Sequence, residues 1–259
     1  MKLSMDSIVK NPKAFLHTLC YLILIGYYLG VAAQSANLSD ENRSRLQELI
    51  DSPDRSESLR NRNQYRHPLE TLDFFEITPE LTIVEIWPGG QGGWYRSILE
   101  PYITDDGTYI PVRADANESP FVNVVANQSA DRVLVFRAHG FMIYDFPAQE
   151  YFHSIYAMLK IGGIFGIVDH RGVESMVQDP TGENGYVNQS HVVMLAKNAG
   201  FELLDQSEIN ANPLDLKNHP DGVYSLPPTL RGSRFNRTAR STMQAIGESD
   251  RMTLKFIKR

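Results

Sequence analysis

At 259 residues, with 42% hydrophobic and 22% charged side chains, the chain has the composition of a globular protein and not of a disordered one. Its formal charge of -6 gives no bias toward nucleic acid, and the cluster "RGSRFNRTAR" is local enough for a solvated loop. Cys20 is its only cysteine, so the chain beyond residue 33 has no disulfide, no thiolate nucleophile and no cysteine metal ligand.

Lys2, Lys10 and Lys13 surround a single Asp6, and an apolar run then extends from Ala14 to Ala33, ending in the small residues of "VAA". This pattern predicts a signal peptide over 1–33 with cleavage after Ala33. The run also approaches the ~20 residues that span a bilayer, so residues 14–33 are alternatively a signal anchor. Either outcome exports the rest of the chain, and the membrane is a partner only if this segment stays uncleaved.

Residues 34–259 read as a single domain, with an N-terminal helical extension over 39–77. "LSDENRSRLQELI" predicts a helix capped by Ser39, "DSPDRSES" a polar linker, and "HPLETLDFFEI" a helix starting at Pro68. "LTIVEIW" is a nearly continuous apolar run, as in a strand buried on both faces of a parallel sheet. "GWYRSILEPY" predicts a helix stopped by Pro101, "GTYIPV" and "DRVLVF" two strands, and "PAQEYFHSIYAMLK" a helix ended by "IGG". "IFGIVDH", a helix over "VNQSHVVMLAKNAG", and the strands "FELLDQSEI" and "RMTLKFIK" complete the series. Such alternation means a three-layer α/β sandwich. The long segment 211–250 shows little periodicity and reads as a lid-like insertion.

The stretch "VEIWPGGQGGWY" carries four glycines directly after a strand, where backbone can approach a ligand without an intervening Cβ. Together with "YRHPLETLDFF", "GWYRSILEPY", "YAMLKIGGIFGIVDHR", "AGFELLDQSEINANPLD" and "GESDRMTLKF", it resembles class I S-adenosylmethionine-dependent methyltransferases. More narrowly, it is similar to a family of predicted, exported bacterial methyltransferases, which would place the domain in the periplasm. The resemblance implies a Rossmann-like, mostly parallel sheet with an antiparallel last strand. It implies S-adenosylmethionine as cofactor, with Glu85, Gly89, Gly90, Gly92 and Gly93 around its carboxypropyl and ribose parts. Asp115 is then the nearest acid for the ribose hydroxyls, and Arg137, Ala138 and His139 line the floor beside the reactive methyl. Two departures stand out. The family pattern "PGGGWY" is two residues shorter than the loop here. The span between "GTYIPV" and "DRVLVF" is also short: Arg113 to Pro120 cannot form a crossover to a parallel neighbour, so one sheet edge is expected to be trimmed.

Methyl transfer to a small or medium acceptor needs a positioned nucleophile and, for an alcohol, a base. His139, Asp169, His170 and Arg171 fall at the carboxyl ends of two predicted strands. Asp169 there suits orientation of an imidazole, and Arg171 a hold on an anionic substrate. The alternative for "DHR" is a capped loop with surface contacts. Tyr186, Glu208 and Asn210 read as hydrogen-bonding partners of the following loop, and Arg66 and His67 either cover the cofactor or cap the Pro68 helix. No metal-ligand spacing and no "GxSxG" elbow occurs. Two functions therefore stand side by side: a methyltransferase, or a catalytically silent binding or scaffold protein on the same fold.

Overall fold

The computed structural model describes residues 38–89, 93–112, 125–137, 147–233 and 235–259. Its strands are β1 (Thr82–Ile86), β2 (Thr108–Val112), β3 (Ala130–Phe136), β4 (Leu159–His170), β5 (Phe201–Ser207) and β6 (Arg251–Lys258). They form one sheet in the order β2-β1-β3-β4-β6-β5. β1 pairs in parallel with β2 and β3, and β3 with β4, whereas β6 runs antiparallel to both β4 and β5. This is a mostly parallel sheet with an antiparallel last strand, the arrangement that the sequence resemblance implies. β2 is the outermost described strand on its side; residues 113–124, where the trimmed edge is expected, lie outside the described residues.

The helices are α1 (Asp40–Asp51), α2 (Glu57–Arg60), α3 (Asn63–Arg66), α4 (Pro68–Phe74), α5 (Arg96–Tyr102), α6 (Ala148–Met158), α7 (Gln189–Asn198) and α8 (Arg237–Ile246). The two-residue period of a strand decides which helices cover which face. Val84, Ile86, Val133 and Val135 point to the face covered by Phe152 and Ile155 of α6 and Val192 and Leu195 of α7. Ile83, Leu134 and Phe136 point the other way, onto Leu46 and Ile50 of α1, Leu72 of α4 and Ile98 of α5. Burial on both faces is why the central strands read as unbroken apolar runs.

The glycine-loop aromatics lock the N-terminal helices to this sheet. Trp94 is 5% exposed, lies under the guanidinium groups of Arg55 (5.0 Å) and Arg66 (4.8 Å), and donates its indole N–H to the Leu59 carbonyl at 2.9 Å. Tyr95 stacks on Phe136 with ring centroids 3.6 Å apart. Trp94→Phe, which keeps the ring but removes the donor and weakens the cation–π contacts, is expected to cost about 1–2 kcal/mol. A urea midpoint unchanged from wild type would contradict this clasp.

Four local expectations are corrected. The polar stretch after α1 leads into α2 and α3, and its Arg55 is buried, with Nη1 on the Ile50 carbonyl and Nε on Ser97 Oγ. Composition misleads there because a guanidinium can be buried when its flat face is covered, here by Trp94, and its Nε and Nη1 find acceptors, although Arg55 Nη2 has no hydrogen-bond partner among the described residues. Pro101 lies inside the last turn of α5, which ends at Tyr102. "IGG" belongs to β4, which begins directly after α6 at Leu159. Within 211–250, α8 forms behind an Asn236 side-chain cap on the Ala239 N–H; none of its residues is buried, so no apolar stripe marks it in the sequence.

The remainder of that segment is pinned at a buried carboxylate. Asp215 accepts the Tyr186 hydroxyl (2.9 and 3.0 Å), touches His219 Nε2 and takes the Asp250 backbone N–H. Tyr186 thus holds the loop through Asp215, whereas the Asn210 side chain donates to Thr71 of α4 and Thr253 of β6.

Candidate functional site

At the carboxyl end of β1 the chain turns sharply. Trp87 adopts φ +54, Gly89 φ +95 and Gly93 φ +61. A Cβ on Gly93 would lie 2.4 Å from the Pro88 carbonyl oxygen, so only glycine lets the loop close there. Gly89 differs: among the described residues, a Cβ built on it would meet nothing nearer than 3.9 Å, where Arg137 Nη2 and the Gly93 Cα stand. Among the described residues, Arg137 is the side chain that bounds this position. Gly90, Gly92, Asp115, Ala138 and His139 lie outside the described residues.

Glu85 ends β1 inside the protein, 1% exposed, and accepts the Tyr109 hydroxyl from the neighbouring strand. Burial pushes its carboxyl up to about 7, against the opposing pull of the Tyr109 hydrogen bond and the Arg137, Arg96 and Arg66 charges. The same burial, with Glu85 beside it, raises the Tyr109 phenol far above its ordinary value.

Arg137 follows β3 with φ +67, a left-handed backbone that costs a side-chain-bearing residue roughly 1–2 kcal/mol. Burial lowers its guanidinium, the charge of Arg62 lowers it further, and Glu248 acts against this. A cleft opens beside it, lined by Arg62, Arg66, Arg137, His170, Glu248 and Ser249, with an apolar wall around Val223 and Pro227. Glu248 is the hub. Its carboxylate meets Arg62 Nε at 2.5 Å, Arg66 Nε at 3.2 Å and Arg251 Nη1 at 3.3 Å. Burial alone would raise this carboxyl, yet Arg66, Arg251 and Arg62 hold it down to about 2. Arg66, 2% exposed, is lowered to about 9, mainly by burial.

"DHR" divides between two environments. Asp169 is buried and accepts the His170 backbone N–H at 2.8 Å, while His170 Nδ1 contacts the Ser249 hydroxyl and the ring faces the cleft. Arg171 is engaged elsewhere. It forms paired hydrogen bonds to Asp250 (3.0 and 2.9 Å) and to Glu208 (2.7 and 2.7 Å), and the Glu208 and Asp250 bonds raise its guanidinium above the ordinary value. The grip on an anion expected of Arg171 is therefore available instead from Arg62, Arg66 and Arg137. Glu208 pairs with Arg171 at the end of β4, and not with the loop that follows it.

The sequence reading missed Arg62 and Glu248–Ser249 as site residues and gave Arg66 only a covering or capping role. "GESDRMTLKF" contained the signal, since two acids and a basic residue stood immediately before a buried strand. His67, whose backbone carbonyl accepts the Thr71 N–H, starts α4 without a side-chain cap, and its Nδ1 is buried without a hydrogen-bond partner. Among the described residues, no group of three or more metal-ligating side chains converges and no helix is long and apolar enough to cross a membrane.

No protein-family model matches the chain, and no curated protein matches it. Solved structures resemble the chain only distantly. A SAM-dependent methyltransferase from Aquifex aeolicus is 14% identical over 65% of this chain and 93% of its own, with a TM-score of 0.46. Geranyl diphosphate C-methyltransferase from Streptomyces coelicolor A3(2) is 10% identical over 82% and 87%, with a TM-score of 0.47. The YcgJ protein from Bacillus is 14% identical over 75% and 99%, with a TM-score of 0.45. Likenesses this distant concern shape alone.

Proposed function

We propose that the protein is an S-adenosylmethionine-dependent methyltransferase acting on a small or medium acceptor. The observation that carries this reading is the glycine turn, with Gly89 at φ +95 and Gly93 at φ +61, at the carboxyl end of β1 in a parallel sheet, which is where ligands enter such folds. The described residues are compatible with the cofactor: no described atom lies nearer than 3.9 Å to a Cβ built on Gly89, which suits close backbone approach, and Gly93 makes a tight turn against the Pro88 carbonyl before α5. Gly90 and Gly92 would complete the cradle, Glu85 would support it from below, and Asp115 would take the ribose hydroxyls. When bound, the cofactor supplies an electrophilic methyl group on a sulfonium. Arg137 and His139 would border the reacting atoms. His170, its ring steadied by Ser249, would take the acceptor's proton, with Asp169 and Arg171 as positioning residues.

Calorimetric titration of the full-length protein with S-adenosylmethionine and S-adenosylhomocysteine tests the reading. Binding in the micromolar range is expected. Gly89→Leu should weaken it at least tenfold, while the left-handed backbone at this position adds a strain of only ~1–2 kcal/mol. A folded wild type that evolves no heat with either compound would sink the proposal.

A second reading, a silent binding protein on this fold, is favoured by Glu85. Its carboxyl is already bonded to Tyr109 and is raised toward neutrality, so it offers a ligand little negative charge. Export would also take the domain away from the cytoplasmic cofactor supply.

A further inference from the structure

We infer that the ligand of the arginine cleft bears a phosphate or carboxylate group, seated among Arg62, Arg66 and Arg137, and that it is the acceptor. The word acceptor rests on the methyltransferase reading; the anion site rests on the arginines. Four guanidinium groups, those of Arg62, Arg66, Arg137 and Arg251, meet two carboxylates here, Glu248 and Asp169. Arg251 is satisfied by the fold, donating to the Tyr65 and Ser249 carbonyls as well as to Glu248. The other three are not. Among the described residues, Arg62 Nη2, Arg66 Nη2 and Arg137 Nε are all buried without a hydrogen-bond partner.

A buried cationic N–H without an acceptor is costly, and clustering three of them beside one another adds like-charge repulsion. An anion in the cleft removes both penalties at once. Phosphate and carboxylate match best, because the planar guanidinium fork presents paired donors to paired oxygens.

Position separates this anion from the cofactor. The cofactor's place is over β1 toward β2, whereas the cleft lies over the ends of β3 and β4 and the approach to β6. Arg137 stands at the boundary, with its Nη2 3.9 Å from where a Gly89 Cβ would be. An anionic molecule held by the arginines would therefore sit next to the cofactor loop, with its apolar part against Val223 and Pro227 and with His170 beside it.

The test titrates the full-length protein with inorganic phosphate and with acetate at low ionic strength, alone and with saturating S-adenosylhomocysteine. Affinity is read by calorimetry and by the rise in Tm. Phosphate should bind, weaken with added sodium chloride, and be unaffected by S-adenosylhomocysteine. Arg137→Gln and Arg62→Gln should each weaken it at least tenfold; the Arg62 side chain is 20% exposed and lies outside the sheet, so its variant keeps the test valid if the other fails to fold. Absence of binding by either anion, or unchanged affinity in both variants, would overturn the site. Competition by S-adenosylhomocysteine would overturn it as an acceptor site, because the arginines would then hold the cofactor's own carboxylate. Phosphate binding that the variants weaken, in a protein that never binds S-adenosylhomocysteine, would support the anion site and overturn only the methyltransferase reading.

Discussion

Glu248→Gln is expected to destabilise the protein by about 3–5 kcal/mol at pH 7, which is the usual cost of removing one partner from a buried ionic cluster. The carboxylate touches Arg62, Arg66 and Arg251, and both Arg66 and Arg251 are almost completely buried. Glutamine keeps the shape and one acceptor oxygen but leaves three cations facing one another. The pH dependence has a definite sign. The folded carboxyl sits at about 2, below its ordinary 4.5, so its stabilisation is present above 4.5 and is lost as pH falls toward 2. The gap between wild type and Glu248→Gln should therefore be full at pH 7 and narrow steadily below pH ~4.5. Urea unfolding across that range checks it, and a gap that stays constant with pH would show that the charge is not what matters.

Glu85→Gln is expected to act in the opposite direction. The buried carboxyl is raised from 4.5 to about 7, so the folded state holds a proton that the unfolded chain has already released. Its contribution is intact below 4.5 and is lost as pH rises through 7. Wild type should thus lose about 2–3 kcal/mol relative to the variant over that window, and Glu85→Gln should be the more stable protein at pH 8. The Tyr109 hydroxyl retains an acceptor in the amide oxygen, so the comparison isolates ionisation. Parallel Tm profiles for the two proteins between pH 5 and pH 8 would refute a raised carboxyl. The two substitutions together separate a carboxylate kept charged by arginines from one kept neutral by burial.

Local pattern was enough for the framework. The two-sided apolar runs at Ile83–Ile86 and Val133–Phe136, the Ser39 cap and the Pro68 start all act within a few residues, so they are legible one segment at a time. The strand-helix alternation follows from them, and with it the three-layer sandwich and the place of the glycine turn. What local pattern misjudged is α8, which buries no residue, and Arg55, which looks like linker but packs against Trp94.

The site is a different case. Arg62 and Glu248 are separated by 186 positions and meet at 2.5 Å, and His170 reaches Ser249 across 79. No periodicity links such pairs. They are brought together because α3 and the segment before β6 converge at the carboxyl ends of β3 and β4, and only the folded chain sets that distance. Arg171 shows the same limit from the other side, since its position in "DHR" suggested a ligand contact and its neighbours Asp250 and Glu208 determine otherwise. The sequence by itself determined the sheet, its covering helices and the place of the glycine turn. Tertiary structure alone decided which charges face the cleft, because burial and long-range pairing, not residue type, set whether a guanidinium is satisfied or left with donors to offer.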